Sequence, residues 1–495
     1  MNRFIFAACC LAFGFLNVLL FYRQSWGINL AIFEVPLLLL LIIFNKKALN
    51  TQAAKLAIIG CFCSMAAVVV AHTPFAIALH CCFFILMGGL ALQPIKNPAY
   101  LFFGAIEKIG TLFTLPFKNY VPEKKAFKPT YVLRLSVVPL LVILLFVSLY
   151  ALAVPRFGKW VTNFIAFFPN INFAQFWLIA AGTFLAAFVL YVSQQSYFAN
   201  KDGLATDTLT RKRKKTLLPR WGMGLKKEHL SAIIMLVGLN VLIATINILD
   251  ISTYWFSYSP QSYKDMKFLV HEGTYLLIVC ILLSVTIALY FFRGNMNFYS
   301  KNRLLRQLVM VWLAQNALMV FSVAWRNYWY IADYNLAYKR IGVLVFLAAT
   351  LFGIVSTIIK INRKKSMYYL LRVNSTFILL LLLPLAFVRW DAFIARYNLK
   401  HQNAYVHKNF LANMNNAALP ELLAHKDFFD KPMRDEFESE YPYLHSFYAD
   451  TDTVTFTQAI EIKADAFVKE FEKQHWLSFN LADYHAAQQL KQMGY

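Results

Sequence analysis

Charge is scarce in this sequence: 15% of its 495 residues are Asp, Glu, Lys or Arg, whereas 59% are hydrophobic. A soluble domain carries roughly 25% charged residues, so this composition excludes a soluble enzyme and an intrinsically disordered chain. Many continuous apolar runs are long enough to cross a bilayer, and they lack the alternation that a transmembrane barrel needs. The sequence therefore predicts an all-α fold, a polytopic helical bundle in a membrane.

Signatures of enzyme chemistry are also lacking. No glycine-rich phosphate-binding loop precedes a helix, no Gly-x-Ser-x-Gly motif occurs, and the His-Glu pair at 271–272 lacks the second His of a zinc protease motif. The seven cysteines all lie in apolar runs, and neither Cys61 with Cys63 nor Cys81 with Cys82 has the spacing of a tetrahedral metal site. We expect these cysteines to be small buried side chains, with no metal and no cofactor, and the sequence does not favour an enzyme.

Eleven apolar runs predict transmembrane helices within residues 1–389. They cover residues 4–22, 28–44, 53–71, 75–92, 132–153, 172–193, 230–249, 270–292, 304–325, 341–360 and 369–389. The first run is predicted to be an uncleaved span, because no small-residue cleavage site follows its apolar stretch. The runs at 28–44 and 75–92 are short, so a tilted or re-entrant course is the alternative for each of them.

Basic residues indicate the side of the membrane on which each loop lies. With the N-terminus inside, 29 basic residues lie in or beside the predicted cytoplasmic segments and nine lie on the opposite side. Because cytoplasmic loops are enriched in Lys and Arg, this bias predicts an N-terminus inside and a C-terminus outside. The net charge of +23 and the basic tract 211–215 are then explained by topology and by contact with anionic lipid headgroups, with no nucleic acid as partner.

A helix that lies in the membrane surface is predicted at the inner side. Phe102, Ile106 and Phe113 fall on one helical face, opposite Glu107 and Lys108. This pattern is typical of an interfacial helix, which lays its apolar face against hydrocarbon and turns its charged face toward water.

The C-terminal region differs in composition from the rest of the chain. Residues 1–389 carry 38 basic and 10 acidic groups, whereas residues 390–495 carry 10 and 15. The segments 456–474 and 480–492 have the apolar spacing of amphipathic helices. We therefore predict a transmembrane bundle over 1–389 and a small soluble helical domain over 390–495, which lies outside the cytoplasm and is available to a protein partner.

Five of the polar residues within the apolar runs are candidates for an intramembrane site, namely Glu34, His80, Asn240, Gln315 and Asn316. Because a charge in hydrocarbon is costly, Glu34 with His80 at a similar depth predicts a proton relay. The alternative is that Glu34 reaches the membrane interface from a short span. The three amides are expected to hydrogen-bond across helices near the bilayer midplane, as structural contacts rather than as a substrate site.

A second group of polar residues falls at the outer ends of the predicted spans. Its members, hereafter the outer polar residues, are Asp250, His271, Glu272, Arg326, Asp333 and Arg340. If their helices bundle together, the arginines would bind an anionic headgroup, or His271 and the carboxylates would exchange protons with the exterior. Salt-bridged helix ends at the level of the headgroups are the structural alternative.

Several short stretches resemble one family of bacterial multi-pass membrane proteins. They are Leu239-Asn240, Ile248-Leu249-Asp250, His271-Glu272-Gly273-Thr274, Phe291-Phe292-Arg293-Gly294-Asn295, Gln315-Asn316, Arg326-Asn327, Tyr338-Lys339-Arg340-Ile341-Gly342 and Ala395-Arg396-Tyr397-Asn398. Over residues 230–400 the sequence is similar to the family catalogued as domain of unknown function 4173. The resemblance implies a bacterial envelope protein of the cytoplasmic membrane, and it supplies no activity, substrate or catalytic residue.

Three functional hypotheses follow from these patterns. The leading one is a transporter-like or envelope ligand-binding protein whose outer polar residues bind a small anionic or lipidic ligand. The first alternative is a membrane-embedded transferase or hydrolase that acts on a lipid-linked substrate, with His271 or Glu272 as the general base. The second is a structural or signalling scaffold whose exported C-terminal domain recruits a partner.

Overall fold

The computed structural model describes residues 3–45, 50–114, 143, 146–147, 150, 153–166, 173–192, 196–211, 224–255, 274–430 and 455–495. Over these ranges the regular structure is helical, and the extended pairing consists of one isolated bridge between Thr208 and Lys365. The all-α class predicted from the apolar runs is therefore confirmed for the described part of the chain.

Seven of the described helices are long and apolar enough to cross a membrane. They are Phe4–Phe21, Gln52–Ala71, Phe173–Leu190, Leu225–Thr253, Arg303–Tyr334, Tyr338–Asn362 and Met367–Leu385. Three shorter apolar helices cover Ile28–Phe44, Pro74–Gly89 and Tyr275–Phe291. Ten of the eleven predicted spans thus coincide with apolar helices, whereas the run 132–153 lies largely outside the described residues. The total of eleven and the inside position of the N-terminus stay predictions.

The helices divide between two compact units, and unit 1 comprises Met1–Val69, Ile77–Leu204 and His475–Asn480. Its helices are α1 (Arg3–Phe21), α2 (Ile28–Phe44), α3 (Gln52–Ala71), α4 (Pro74–Gly89), α5 (Pro98–Thr114), α6 (Pro155–Ala166), α7 (Phe173–Leu190) and α8 (Tyr197–Leu204). Helices α1 and α7 approach closely because small residues face each other. A Cβ atom on Gly182 would lie 2.7 Å from the Phe13 carbonyl oxygen, and Asn17 Nδ2 donates to the Leu178 carbonyl at 2.7 Å. Small residues and interhelical hydrogen bonds are the usual means by which membrane helices associate.

Helix α5 differs from the predicted interfacial helix in the direction of its charged face. Lys108 is buried, whereas Ile106 and Phe113 are 45% and 63% exposed. Lys108 Nζ donates to the carbonyls of Gly88 at 3.0 Å and Val189 at 3.4 Å, in the last turns of α4 and α7. The prediction that this charge faces water was wrong, because carbonyls at the ends of helices lack partners within the helix and need a donor in a medium without water.

The C-terminal segment of unit 1 packs against the connection between α1 and α2. The Ile28 N–H donates to the Phe479 carbonyl at 3.0 Å, and the Ser25 N–H donates to Ser478 Oγ at 3.0 Å. A side chain at Gly27 would collide with the backbone of residues 478 and 479. The predicted topology places residues 22–28 and 475–480 on one side of the membrane, and their contact then requires an even number of crossings between them. The ten crossings that remain in the predicted topology meet this requirement.

Unit 2 comprises Val70–Ala76, Ala205–Gln474 and Leu481–Tyr495. Its apolar helices are α9 (Leu225–Tyr254), α10 (Thr274–Phe291), α11 (Arg303–Tyr334), α12 (Tyr338–Asn362) and α13 (Met367–Leu385). They share a core that includes Leu236, Trp312, Leu313 and Ile354. Helix α11 contacts α9, α10 and α12, so it is the central helix of this bundle.

The remaining helices of unit 2 follow residue 389. They are α14 (Trp390–Lys400), α15 (Lys408–Ala412), α16 (Leu419–Leu423), α17 (Phe456–Lys473) and α18 (Leu481–Gln492). The last two coincide with the predicted amphipathic helices, and α17 begins with a capping box formed by Thr455 and Gln458. Their core, which includes Leu411, Leu419 and Phe456, also contains Leu336 from the connection between α11 and α12. The boundary at 389–390 stays a prediction.

Candidate functional site

Glu34 and His80, which the sequence placed at similar depths, are in direct contact within unit 1. Glu34 lies in the middle part of α2 and His80 in the middle part of α4, and His80 Nε2 is 2.9 Å from Glu34 Oε1. The His80 and Glu34 side chains are only 2% and 5% exposed. In this structure Glu34 is therefore part of a buried pair and does not reach a protein surface.

A thiol completes this arrangement, which we call the Glu34–Cys61–His80 cluster. Cys61 Sγ, in the middle of α3, is 3.5 Å from Glu34 Oε2 and 3.9 Å from Met87 Sδ. Ser64 Oγ is 3.1 Å from His80 Nδ1, on the far side of the imidazole ring. One ligand-type atom from each of the three cluster residues lies within 4.8 Å of the other two. Such a set can share a proton or coordinate a cation.

The hairpin of α3 and α4 explains how residues distant in sequence meet here. A connection of two residues joins the helices, and its first residue, His72, has a positive φ of 46°. Ser64 and His80 lie at similar distances from this turn, so they face each other across the antiparallel pair. Gly60 lets the ring of Phe83 pack against α3, since a Cβ atom there would overlap the ring. Sequence analysis identified Glu34 and His80 as candidate site residues and missed Cys61 and Ser64. The available signal was the number of residues that separates these two from the turn between α3 and α4.

Two of the three amides, Asn240 and Gln315, hydrogen-bond across helices within unit 2. Gln315 Nε2 donates to Asn240 Oδ1 at 2.8 Å, and Asn240 Nδ2 donates to the Leu308 carbonyl at 3.2 Å. Asn316 instead donates to the Trp312 carbonyl within its own helix, at 2.7 Å. These contacts join α9 to α11, which matches the structural role expected for two of the three amides.

Among the outer polar residues, the structure shows an ion pair between Asp250 and Arg326. Asp250, at the end of α9, accepts from the Arg326 guanidinium and from the Ser322 hydroxyl, both on α11. The Asp250 and Arg326 side chains are 2% and 12% exposed, so the pair is buried. Sequence analysis missed Ser322, whose spacing of one helical turn from Arg326 was the signal for a shared partner.

Arg340 and Asp333 lie at the connection between α11 and α12. Arg340 Nη1 donates to the carbonyls of Tyr334 and Asn335, and its guanidinium carbon lies 4.1 Å from the centroid of the Tyr330 ring. The carbonyl of Asp333 accepts from the Tyr405 N–H at 2.9 Å. Arg340 thus fixes a turn of the backbone. His271 and Glu272 lie outside the described residues.

Asn398, in the last of the stretches that resemble a known family, joins α14 to the same connection. Its Oδ1 accepts from the Leu336 N–H at 2.9 Å, and its Nδ2 donates to the Leu336 carbonyl at 3.0 Å. Asn335, which has a positive φ of 63°, donates to the carbonyls of His401 and Tyr405 at 3.2 Å. Asn398 and Asn335 therefore hold the helices after residue 389 on the ends of α11 and α12.

An apolar cavity of about 510 Å³ lies between α12 and α13. Away from the cavity, two contacts join α12 to α13. The rings of Phe352 and Phe377 stack with their centroids 3.8 Å apart, and Asn374 Nδ2 donates to Ser356 Oγ at 2.9 Å. The cavity itself lies between the first part of α12 and the last part of α13. Its walls include Ile341, Val345, Phe346, Ala349, Ile378, Leu381, Leu382 and Leu385.

Tyr338 and Trp390 line one edge of this cavity, near the end of α13 and the start of α14. The Tyr338 hydroxyl donates to Asp391 Oδ1 at 2.5 Å, and Trp390 Nε1 donates to the Leu385 carbonyl at 3.0 Å. Asp391 also accepts from the Asn415 N–H at 3.1 Å. Burial lowers the pKa of Lys463, and the nearby Asp391 carboxylate opposes this shift. The cavity lining is thus almost wholly apolar, and two of its residues, Tyr338 and Trp390, hereafter the rim, hydrogen-bond to groups beside it.

The fold and these sites define a helical integral membrane protein with polar groups buried between its helices. Within that class, residues 5–425 match the family described as "Domain of unknown function (DUF4153)", and the chain belongs to this family. The predicted family number, 4173, was wrong, whereas membership of a family without assigned function is confirmed. The match extends from residue 5, far beyond the residues 230–400 over which the sequence analysis found a resemblance. No curated protein and no solved structure matches the chain.

Proposed function

We propose that the protein is a lipid-binding protein of the bacterial cytoplasmic membrane, which holds a hydrocarbon chain in the cavity between α12 and α13. The observation that carries this proposal is a cavity of about 510 Å³ whose lining is almost wholly apolar and includes the hydrogen-bonded side chains of Tyr338 and Trp390 at one edge. This volume falls within the range of roughly 300–1,000 Å³ found for small-molecule sites. The protein would thus still bind a ligand, as predicted, but the ligand would bind in the cavity and not at the arginines of the outer polar residues.

A hydrocarbon chain is the occupant that matches the chemistry of the walls. A polar solute would lose its hydration in this cavity and gain few hydrogen bonds, which costs free energy. Ordered water likewise needs two or more polar partners. Both walls are helices long and apolar enough to cross a membrane, so lipid chains are the most abundant molecules beside the cavity. Ile378 and Phe346 are 43% and 39% exposed, which gives the bilayer access to it.

The rim fits the polar end of such a lipid. Tyr338 and Trp390 are residue types that concentrate at the membrane interface, where one part of the side chain is apolar and the other hydrogen-bonds. A lipid whose chain fills the cavity would place its polar end near Tyr338, Asp391 and Lys463. The arginines of the outer polar residues support this choice, because Arg326 and Arg340 already bond to groups of the protein.

Photocrosslinking tests the proposal directly. The full chain would be reconstituted in nanodiscs with a phospholipid that carries a diazirine on one acyl chain, irradiated, and digested for mass spectrometry. We expect adducts concentrated on cavity residues such as Val345 and Leu381. Ala349→Trp, which fills the cavity, should reduce these adducts to near background.

Ala348→Trp is the matched control, because Ala348 is an exposed neighbour on the same helix and does not line the cavity. This variant should retain the wild-type adducts. Adducts spread evenly over the exposed apolar faces, or equal loss in both variants, would contradict a lipid site in the cavity.

We also propose the predicted topology, with the N-terminus and basic loops in the cytoplasm and the C-terminal region outside. The bias of basic residues supports it, and the contact between residues 22–28 and 475–480 is compatible with the ten crossings that it places between them. Alkaline phosphatase fused after Tyr495 should be active, and green fluorescent protein at the same position should be dark. The opposite pair of results would reverse the topology, and with it the expected contact of the basic loops with anionic cytoplasmic headgroups.

A further inference from the structure

The Glu34–Cys61–His80 cluster plays no part in the lipid site, and its chemistry differs from that of the rest of the described bundle. Three separate helices each contribute one side chain that can ligate a metal, at the middle of each helix. Glu34, Cys61 and His80 are 4%, 2% and 1% exposed, respectively. Ionisable side chains are costly at such a position, so they mark functional sites in membrane proteins.

We propose that the Glu34–Cys61–His80 cluster is an intramembrane binding site for a divalent transition-metal ion, with Zn²⁺ as the representative ion. Carboxylate oxygen, thiolate sulfur and imidazole nitrogen are the three ligand types that Zn²⁺ takes in proteins. The site would use Glu34 Oε1 or Oε2, Cys61 Sγ and His80 Nε2. It is independent of the lipid site, because no cluster residue lines the cavity between α12 and α13.

Charge balance favours a divalent ion over a monovalent one. A carboxylate and a thiolate carry two negative charges, and a neutral imidazole carries none, so one divalent cation makes the site neutral. Neutrality matters because an uncompensated charge between membrane helices costs several kcal/mol. A monovalent ion such as Cu⁺ would leave a net negative charge unless Glu34 kept its proton.

The distances in the cluster are close to those of a metal site. Zn–O and Zn–N bonds of about 2.0 Å and a Zn–S bond of about 2.3 Å at tetrahedral angles place neighbouring ligand atoms about 3.3–3.6 Å apart. Cys61 Sγ and Glu34 Oε2 are 3.5 Å apart, and His80 Nε2 and Glu34 Oε1 are 2.9 Å apart. The third pair, Cys61 Sγ and His80 Nε2, lies within 4.8 Å, so the ion would draw the three side chains together to reach tetrahedral separations.

Ser64 holds the imidazole in the tautomer that a metal needs. The Ser64 hydroxyl donates to the Cys61 carbonyl at 3.1 Å, which leaves its oxygen to accept from Nδ1–H of His80, also at 3.1 Å. In the metal-bound cluster the imidazole proton would therefore lie on Nδ1 and the lone pair of Nε2 would face the ion. The ion would replace the proton that the 2.9 Å contact between Nε2 and Glu34 Oε1 requires in its absence. An outer hydrogen bond of this kind usually accompanies a metal-binding His. Ser64 is thus a positioning residue.

Metal content tests the proposal in the full chain. The protein would be purified under reducing conditions in detergent, treated with chelator, incubated with Zn²⁺, desalted and analysed by mass spectrometry for zinc. We expect about one Zn²⁺ per chain, as a single site requires. Co²⁺ in place of Zn²⁺ should give a thiolate-to-cobalt charge-transfer band, which reports on Cys61 directly. A chain that binds neither ion would overturn the proposal.

Substitutions locate the site. Cys61→Ser, His80→Gln and Glu34→Gln should each lose the ion, and Ser64→Ala should weaken binding by about 10-fold to 100-fold, as loss of an outer hydrogen bond does. Cys63→Ser is the matched control, since Cys63 lies on the same helix and outside the cluster. Thermal unfolding without metal shows whether each variant is folded. Ion binding that survives in folded Cys61→Ser, or that Cys63→Ser removes as well, would contradict the assignment.

Discussion

Asp250→Ala should lower the free energy of unfolding by about 3–5 kcal/mol, the loss expected when one member of a buried ion pair is removed. The Arg326 guanidinium would then remain buried without the carboxylate of Asp250, and the Ser322 hydroxyl would lose its acceptor. Unfolding of the reconstituted protein, followed by heat or by titration with a denaturing detergent, measures the change.

A double-mutant cycle separates the ion pair from other consequences of the substitution. Asp250→Ala combined with Arg326→Met should be less destabilised than Asp250→Ala alone, because no buried charge is left uncompensated. Ser322→Ala should cost only about 0.5–1.5 kcal/mol, the contribution of a single hydrogen bond. If the losses from the two single substitutions simply add in the double variant, the pair does not stabilise the junction of α9 and α11.

These expected losses of stability bear on the ligand hypothesis for the outer polar residues. Arg326 bonds to Asp250, and Arg340 bonds to the carbonyls of Tyr334 and Asn335. Both arginines hold helix ends together, so substituting either one would reduce stability as well as any ligand binding. The structure thus agrees with the alternative of salt-bridged helix ends for Asp250 and Arg326, and the cavity between α12 and α13 becomes the better ligand site.

The membrane helices were predictable because hydrocarbon imposes a simple rule on sequence. A span must be long, apolar and helical, and the runs at 28–44 and 172–193 met that rule to within three residues of the described helices. The rule concerns one helix at a time. It does not state which helices are neighbours, so the pairing of α1 with α7 through Gly14 and Gly182 was not predictable from the runs.

The candidate sites were only partly predictable for the same reason. Glu34 and His80 are ionisable residues within apolar runs, and such residues can be recognised as candidates for a functional site from sequence alone. Cys61 is an ordinary residue in an apolar helix, and it becomes significant only because α3 brings it within 3.5 Å of Glu34. The cavity between α12 and α13 has no signal in sequence at all, since its apolar walls are the residues expected in any span.

Lys108 shows how a local pattern leads to an incorrect orientation. Its position opposite Phe102 and Phe113 is typical of a solvated helix face, yet its ammonium group lies between the ends of α4 and α7. Lys360 in unit 2 does the same, donating to the Phe292 carbonyl at 2.9 Å just after α10. A cation near the last carbonyls of a helix interacts favourably with the helix dipole as well as with those carbonyls.

Lys108→Met should therefore destabilise the protein by about 2–6 kcal/mol, since each of the two buried carbonyls that lose their donor costs about 1–3 kcal/mol. Methionine fills a similar volume, so the loss reports on the ammonium group and not on a cavity. Lys360→Met should cost less, because the Phe292 carbonyl also accepts from Asn297 Nδ2 at 2.8 Å. Unfolding in reconstituted membranes measures both variants.

Lys96→Met is the matched control for both lysines. The Lys96 side chain is exposed, and surface substitutions usually change stability by less than about 0.5 kcal/mol. If Lys108→Met were as mild as Lys96→Met, the carbonyls of Gly88 and Val189 would have other donors or access to water. Water would then solvate polar groups between these helices. A net charge at the proposed metal site would cost little in that case, and the argument from charge neutrality would no longer hold. A large loss supports a dry interior, where a buried cation persists only when protein groups replace its water.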